Sequence, residues 1–307
     1  MLENAEPQLT LACSRPSLRR RLLGRYNVGL VGMLYLLPAV AVLAFFLLTP
    51  IVEAFYYSFF DWNGSTATWV GLGNYMNLLH SSTFGTIALN DLILLACIPL
   101  WVLFPLVLAV MINSHVRGWR FFRLAIFATT ALSFTVVGIV WAYIYSYHGP
   151  FNALLRVVHI HPLDWLANGP TALAALIVTA IWTFMGTGLI VYLAGLGAIP
   201  PEILEAARLD GARGSAMLRH VILPLMKRYV EFFTVFSIVN AFTNLFALIY
   251  VMTGGGPGFS TTTLEYYIYV DAFANMNFGE ASAVGVILFL VMIGVAVLQM
   301  KVLRTGE

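Results

Sequence analysis

The chain has 307 residues, of which 60% are hydrophobic and only 10% charged, and its mean hydropathy is +0.87. Soluble domains carry roughly a quarter of their residues as Asp, Glu, Lys or Arg, so this chain cannot cover itself with polar surface in water and takes lipid as its solvent. A net charge of +2 gives no ground for nucleic-acid binding; what matters is where the charges sit.

The basic segment 1–28 comes first and is expected to be cytoplasmic. A helix needs about 20 apolar residues to cross the hydrocarbon core, and six stretches qualify: Gly29–Pro50, Thr86–Asn113, Phe121–Tyr147, Thr171–Gly195, Tyr229–Thr253 and Ala281–Val302. Backbone groups in lipid must be satisfied within their own segment, which makes these helices rather than strands. The first is too long for the apolar part of a signal peptide and lacks a clear cleavage site, so it reads as a retained span. The expectation is an all-α membrane protein, one six-span domain over 29–303, ending in a cytoplasmic tail at 304–307.

Orientation follows from lysine and arginine. Arg15, Arg19, Arg20, Arg21 and Arg25 precede the first span, and Arg117, Arg120 and Arg123 follow the second. Arg208, Arg213, Arg219, Lys227 and Arg228 follow the fourth, and Lys301 and Arg304 close the chain. Alternation therefore puts fifteen of the 16 basic residues on one face, with Arg156 alone on the other. Both termini are expected to be cytoplasmic. The opposite face receives the loops around 51–85, 148–170 and 254–280, rich in Gly, acids and aromatic side chains such as Trp62, Trp69, Tyr75 and Trp165.

Cys13 and Cys97 suggest no disulfide framework, and His159 and His161 lie in a loop without further ligands, so no metal site is expected. No constellation of nucleophile and base supports an enzyme, and no catalytic residue is assigned. Within the spans, Asp91 and Glu231 lie near helix ends, with Glu231 in reach of Lys227 or Arg228. A secondary active solute carrier without an ATPase partner is the alternative class. Such a carrier more often places a carboxylate or His deeper in the membrane.

The fourth loop, about 199–228, differs from the rest. Pro200 and Pro201 suit a helix start. Glu202, Glu205 and Asp210 alternate with Ile203, Leu204, Ala206, Ala207 and Leu209, a short amphipathic pattern. Gly211 and Gly214 can end or bend that helix. A second helical stretch leads through Leu218 to Pro224, where the chain is expected to turn into the fifth span.

Glu205-Ala206-Ala207, three residues, Gly211, nine residues and Val221-x-Leu223-Pro224 resemble the EAA signature of ABC-importer permeases, with Val221 where isoleucine is usual. The resemblance extends along most of the chain and is to sugar permeases of the maltose and glycerol-phosphate type. Leu36-Leu37-Pro38, Pro50, Ser58-Phe59 and Val70-Gly71-Leu72-Gly73-Asn74-Tyr75 carry it first. Gly118 with Phe122-Arg123, Gly149 with Asn152, and Trp165-Leu166 continue it. Thr253-Gly254-Gly255-Gly256-Pro257, Thr261-Thr262-Thr263-Leu264 and Ile268-Tyr269 close it. Asn90-Asp91 and Ala128-Thr129-Thr130 depart from the pattern, where relatives commonly have asparagine–threonine and leucine–proline.

The resemblance implies the transmembrane domain of a type I ABC importer. In that family the EAA loop is a coupling helix seated in a groove of the cytoplasmic ATPase, which assigns ATPase coupling to Glu205, Ala206, Ala207, Asp210, Gly211, Leu223 and Pro224. The implied partners are a cytoplasmic ABC ATPase dimer, a second related permease (a heterodimer) and an extracytoplasmic solute-binding protein. The solute is sugar-like: an oligosaccharide, sugar, polyol or glycerol phosphate. A phosphate-binding loop needs Gly-Lys followed by Ser or Thr, whereas Lys227 precedes Arg228 and Lys301 precedes Val302. No cofactor is expected on this chain, ATP being bound by the partner ATPase. A solute path needs hydrogen-bonding groups and aromatic faces inside the bundle. The fourth span offers Trp182, Phe184 and Thr187 beside Gly186 and Gly188, and the fifth offers Asn240, Phe242, Thr243 and Asn244. Interhelical hydrogen bonding would equally account for the Asn and Thr residues.

Overall fold

The computed structural model describes residues 32–114 and 116–304; Cys13 and the arginines at 15–25 lie outside the described residues. The chain divides into two units, Met1–Glu53 and Ala54–Glu307. The division falls inside the first long helix, α1 (Gly32–Tyr57), which contains a π-helical turn at Ala44–Leu48.

In the second unit the end of α1 is followed by a short hairpin that hydropathy alone does not signal. Strands β1 (Phe60–Trp62) and β2 (Ala67–Trp69) pair antiparallel, Asp61 opposite Thr68. The turn closes because the Asn63 carboxamide oxygen accepts from Ser65 N at 3.0 Å and Thr66 N at 2.9 Å, with Gly64 at φ +90°. Helix α2 (Gly73–His80) is fastened to it. Asn74 Nδ2 donates to the carbonyls of Ser58 and Phe60, both at 2.9 Å, and Tyr75 donates its hydroxyl to Ser58 Oγ at 2.8 Å.

Helix α3 (Ser82–Asn113) follows as the second span, with Ser81 accepting from Phe84 N at its start. The third apolar stretch is not the single helix expected over Phe121–Tyr147. Trp119–Ala131 and Phe134–Val157 meet at 113°, dividing it into α4 (Trp119–Ala128, then a 3-10 turn to Ala131) and α5 (Phe134–Tyr145). The cause is local. The hydroxyls of Thr129 and Thr130 donate to the carbonyls of Ile126 and Phe127, Leu132 is extended, and Ser133 caps α5 by accepting from Val136 N. Short hydroxyl side chains that bond nearby backbone favour such ends over helix interiors. Helix α6 (Pro150–Val157) then leads to α7 (Gly169–Gly197).

Helix α7 is the centre of the second unit and is buried on most of its turns. Its glycines mark close approaches. A Cβ on Gly186 would meet Thr129 Oγ1 at 2.5 Å, and one on Gly188 would meet Phe233 and Pro105, each at 2.7 Å. Around it Trp101 stacks on Phe184 at 5.2 Å and Tyr192 meets Phe233 edge-on at 5.4 Å.

Helix α8 (Pro201–Leu209) and a helical stretch α9, residues 214–225 with a π turn at Leu218–Ile222, precede the fifth span. The chain does not turn at Pro224, which lies within this stretch; the break comes at Met226. The fifth span is likewise broken, into α10 (Lys227–Thr243) and α11 (Phe246–Met252), which meet at 49°. Helix α12 (Leu264–Tyr269), a π turn at Val270–Ala274 and α13 (Phe278–Arg304) complete the chain. Among the described residues four helices are long and apolar enough to cross a membrane, and taking each bent pair as one span gives six.

Candidate functional site

The 199–228 loop forms a helix with defined ends. Pro200 holds the N-cap at φ −57°, ψ 130°, and Pro201 fills the first helical position, where a missing N–H costs nothing. At the other end Gly211 N bonds Arg208 O at 3.1 Å and Ala212 N bonds Ala207 O at 2.9 Å, with Gly211 at φ +88°. This is a Schellman ending, in which a left-handed residue lets the last carbonyls find partners.

One face of α8 is anchored. Leu204 packs against the main apolar core, and a cleft of about 480 Å³ lies beneath it, bounded by Asn113, Leu196, Leu204, Arg208, Arg213 and Met217. The other face is open: Ile203, Glu205, Ala206 and Asp210 are exposed, and Leu209 is 89% exposed. Along α9, Ile222 is buried, Leu223 half-buried and Pro224 exposed. Lys227 pairs with Glu231 at 3.7 Å.

The polar residues of the fifth span gather at its break. Asn244 leaves the helix at φ −136°. Its amide donates to Asn240 Oδ1 at 3.0 Å and Thr243 Oγ1 at 3.2 Å, while Asn240 donates to Phe236 O at 2.7 Å. Asn240 is buried, whereas Thr243 and Asn244 are exposed. On α7, Trp182 and Thr187 are half-buried, Trp182 lying edge-on to Trp141 at 5.6 Å. Two aromatic residues expected along the path, Phe184 and Phe242, are buried, as Asn240 is. Phe184 is 4% exposed, set between Trp101, Phe134 and Phe236, and Phe242 is 5% exposed.

Three polar residues to which no sequence motif assigns a role organise this region. Asn90 donates to the carbonyls of Phe259 at 2.8 Å and Thr262 at 2.9 Å, and Asp91 Oδ2 accepts from Leu264 N at 2.9 Å. The helix begins at Ser82, four residues before the expected Thr86, so Asp91 is buried well inside it rather than near its end. Glu265 Oε2 accepts from Leu245 N at 3.1 Å and Phe246 N at 3.0 Å. Glu265 lies outside the spans, and burial pushes its carboxyl up to about 7, against the lowering pull of those two N–H groups. The signal for the first two was present: polar residues in an apolar stretch need partners. For Glu265, 20 residues of chain separate it from the backbone it caps, and no local pattern reports that.

The connecting segment itself is knitted. Gly254 and Gly255 have φ of +58° and +82°, Thr262 Oγ1 donates to Gly255 O at 2.9 Å, and Thr261 Oγ1 donates to Gly256 O at 3.0 Å. Glycine adopts these left-handed angles without the penalty a Cβ would bring, which is what the turn at this end of the fifth span needs.

Residues 69–305 match the family described as "binding-protein-dependent transport system inner membrane component". The chain belongs to this family. It is the permease subunit of an ABC importer. The permease is 32% identical to the probable ABC transporter permease protein YurN of Bacillus subtilis, over 91% of this chain and 97% of that protein. It is 34% identical to the sn-glycerol-3-phosphate transport system permease protein UgpA of Brucella abortus, over 87% of this chain and 92% of that protein. Its fold matches a chain in the crystal structure of a bacterial alginate ABC transporter in complex with alginate pentasaccharide-bound periplasmic protein. There the TM-score is 0.78 at 21% identity, covering 91% of this chain and 96% of that one.

Proposed function

We propose that this permease passes a sugar-like solute (oligosaccharide, sugar, polyol or glycerol phosphate) from an extracytoplasmic binding protein to the cytoplasm, and that a separate ATPase dimer docks on α8. The observation that carries the docking is the open face of that helix. Leu209 is 89% exposed on a helix outside the spans, beside exposed Ile203 and Glu205, and an apolar side chain there gains by being covered. In this reading Glu205 meets a basic residue of the ATPase groove, Ala206 and Ala207 allow close approach, and Asp210, Gly211, Leu223 and Pro224 shape the loop.

The permease subunit is non-catalytic and works beside a second, related permease as a heterodimer. ATP-driven closure of the nucleotide-binding subunits moves α8, and access to the cavity switches by rigid-body motion. Solute passes Trp182, Phe184, Thr187, Asn240, Phe242, Thr243 and Asn244. The name of UgpA and the sugar-bound periplasmic partner in the alginate transporter support the solute class and the delivery step.

Co-purification of the ATPase with the tagged permease tests the docking. Truncating one partner of a buried interfacial charge pair costs about 2–5 kcal/mol, so Glu205→Ala is expected to lower recovered ATPase at least tenfold, as is Leu209→Asp, with membrane insertion unchanged. Recovery at the wild-type level for both variants would remove α8 from the ATPase interface.

A further inference from the structure

The bend of the fifth span has no cap of its own. Leu245 stands at the N-cap of α11 and offers no side-chain oxygen, although the first N–H groups of any helix lack partners within it. The missing acceptor comes from another element: Glu265 Oε2 takes Leu245 N at 3.1 Å and Phe246 N at 3.0 Å. A carboxylate there is also favoured by the helix dipole.

The helix that carries Glu265 is held from its other side. Asp91 Oδ2 accepts from Leu264 N at 2.9 Å, and Asn90 holds the carbonyls of Phe259 and Thr262. Hydrogen bonds therefore tie the second span to α12, and α12 to Leu245 and Phe246, which adjoin in the chain the break where Asn240, Thr243 and Asn244 gather.

We propose that Glu265 is the positioning residue of the solute path: by accepting the N–H groups at the start of α11 it fixes the bend of the fifth span and so sets where Asn240 and Asn244 stand. This rests on the path reading of those residues given above.

The charge on this latch is conditional. The Glu265 carboxyl is pushed up to about 7 by burial, so the carboxylate is present above that pH and is replaced by the neutral acid below it. The neutral acid is the weaker acceptor, since charge-assisted hydrogen bonds are roughly twice as strong. The ionisable groups on the elements packed around it are Asp91 and Cys97 on α3, Tyr250 on α11, Asp271 in the π turn and, on α13, Glu280 near its start with Lys301 and Arg304 at its far end. Tyr266, Tyr267 and Tyr269 share its own helix. Those of α10, namely Lys227, Arg228, Tyr229 and Glu231, lie at that helix's far end. Among the described residues no Lys, Arg or His forms an ion pair with Glu265.

The test uses the full chain, purified with its partner subunits, in a Cys13→Ser, Cys97→Ala background carrying Asn244→Cys. Hydrogen exchange is followed by mass spectrometry on peptides covering 240–252, and the rate of labelling at Asn244→Cys by a small methanethiosulfonate is measured with and without ATP. At pH 8, Glu265→Ala is expected to speed exchange at Leu245 and Phe246 about tenfold, the effect of removing a helix cap. Glu265→Gln, which keeps an acceptor but no charge, falls between. At pH 6, exchange in wild type, corrected for the intrinsic chemical rate, converges on that of Glu265→Gln. The wild-type to Glu265→Gln ratio of labelling rates shifts severalfold between pH 6 and pH 8. A glutamate that served packing alone would leave that ratio flat.

Unchanged exchange at Leu245 and Phe246 in Glu265→Ala overturns the latch. Faster exchange with unaltered labelling overturns its positioning role. Absence of labelling in wild type, with or without ATP, instead defeats the path reading and leaves the exchange result standing.

Discussion

Asn152 shows how much of the permease's connecting structure hangs on single carboxamides. It is 0% exposed, and its Nδ2 faces the carbonyls of Ser146 at 3.2 Å, Tyr147 at 3.3 Å and Leu163 at 2.9 Å. Its Oδ1 accepts from Leu163 N at 3.0 Å and Trp165 Nε1 at 3.1 Å, using both acceptor sites of an amide. Asn74 does the same work at the hairpin, and Asn90 at the glycine-threonine segment. The family-like positions in these connections are thus structural ties, holding backbone that has left a helix and has no ladder to join. Removing one exposes several buried groups at once, each costing about 1–3 kcal/mol when unsatisfied. Asn152→Ala is expected to destabilise the permease by about 2–4 kcal/mol, measured as a lower midpoint of thermal unfolding in detergent. Asn152→Asp should be no better, because it keeps the acceptors and loses both donors. A midpoint within a degree of wild type for both variants would show that neighbouring water or backbone replaces the amide.

Between elements, the glycines of α7 separate contact from mere flexibility. A Cβ at Gly188 would lie 2.7 Å from both Phe233 and Pro105, whereas one at Gly197 would meet nothing within 4 Å. A proline ring and a buried aromatic side chain cannot both retreat, so Gly188→Ala is expected to cost about 1–3 kcal/mol through overpacking. Gly197→Ala, in the last turn of the same helix, should instead gain up to about 1 kcal/mol by restricting the unfolded chain. Thermal unfolding of the two variants side by side checks the contrast, and equal effects would contradict it. The close approach at Gly186 and Gly188 was legible in the sequence, since small residues among bulky apolar ones point to helix contact. So were both ends of α8, because proline and glycine act through backbone geometry alone. The breaks in the third and fifth spans were not, since the stretches around Leu132 and Leu245 remain apolar enough on average to read as single spans despite their Thr, Ser and Asn residues. What ends those helices is the competition of Thr129, Thr130 and Ser133 for backbone partners, and a carboxylate 20 residues away. The three-residue strands of the hairpin are too short to show an alternating pattern.

For the whole molecule, the distribution of charge is expected to set how the permease lies in its membrane. Fifteen of the 16 basic residues fall in segments that alternation places on one side, and lysine and arginine near span ends are retained on the cytoplasmic face. The broken third and fifth spans do not upset this alternation, provided each bent pair crosses once. A re-entrant hairpin in place of either would return the chain to the side it came from and invert everything after it. Position 215, which follows the third span and precedes the fifth, decides the case of the third. Ser215 is exposed just after α8, in the loop proposed to meet the ATPase, so an inverted arrangement would put both ATPase and docking helix on opposite sides of the membrane. In a Cys13→Ser, Cys97→Ala background, Ser215→Cys is expected to resist a membrane-impermeant maleimide in intact cells and to react fully once the membrane is opened. A cysteine at Asp164, in the connection between α6 and α7, should show the opposite pattern. Labelling of Ser215→Cys from outside intact cells would sink both the orientation and the docking surface, because no cytoplasmic ATPase could then reach Glu205.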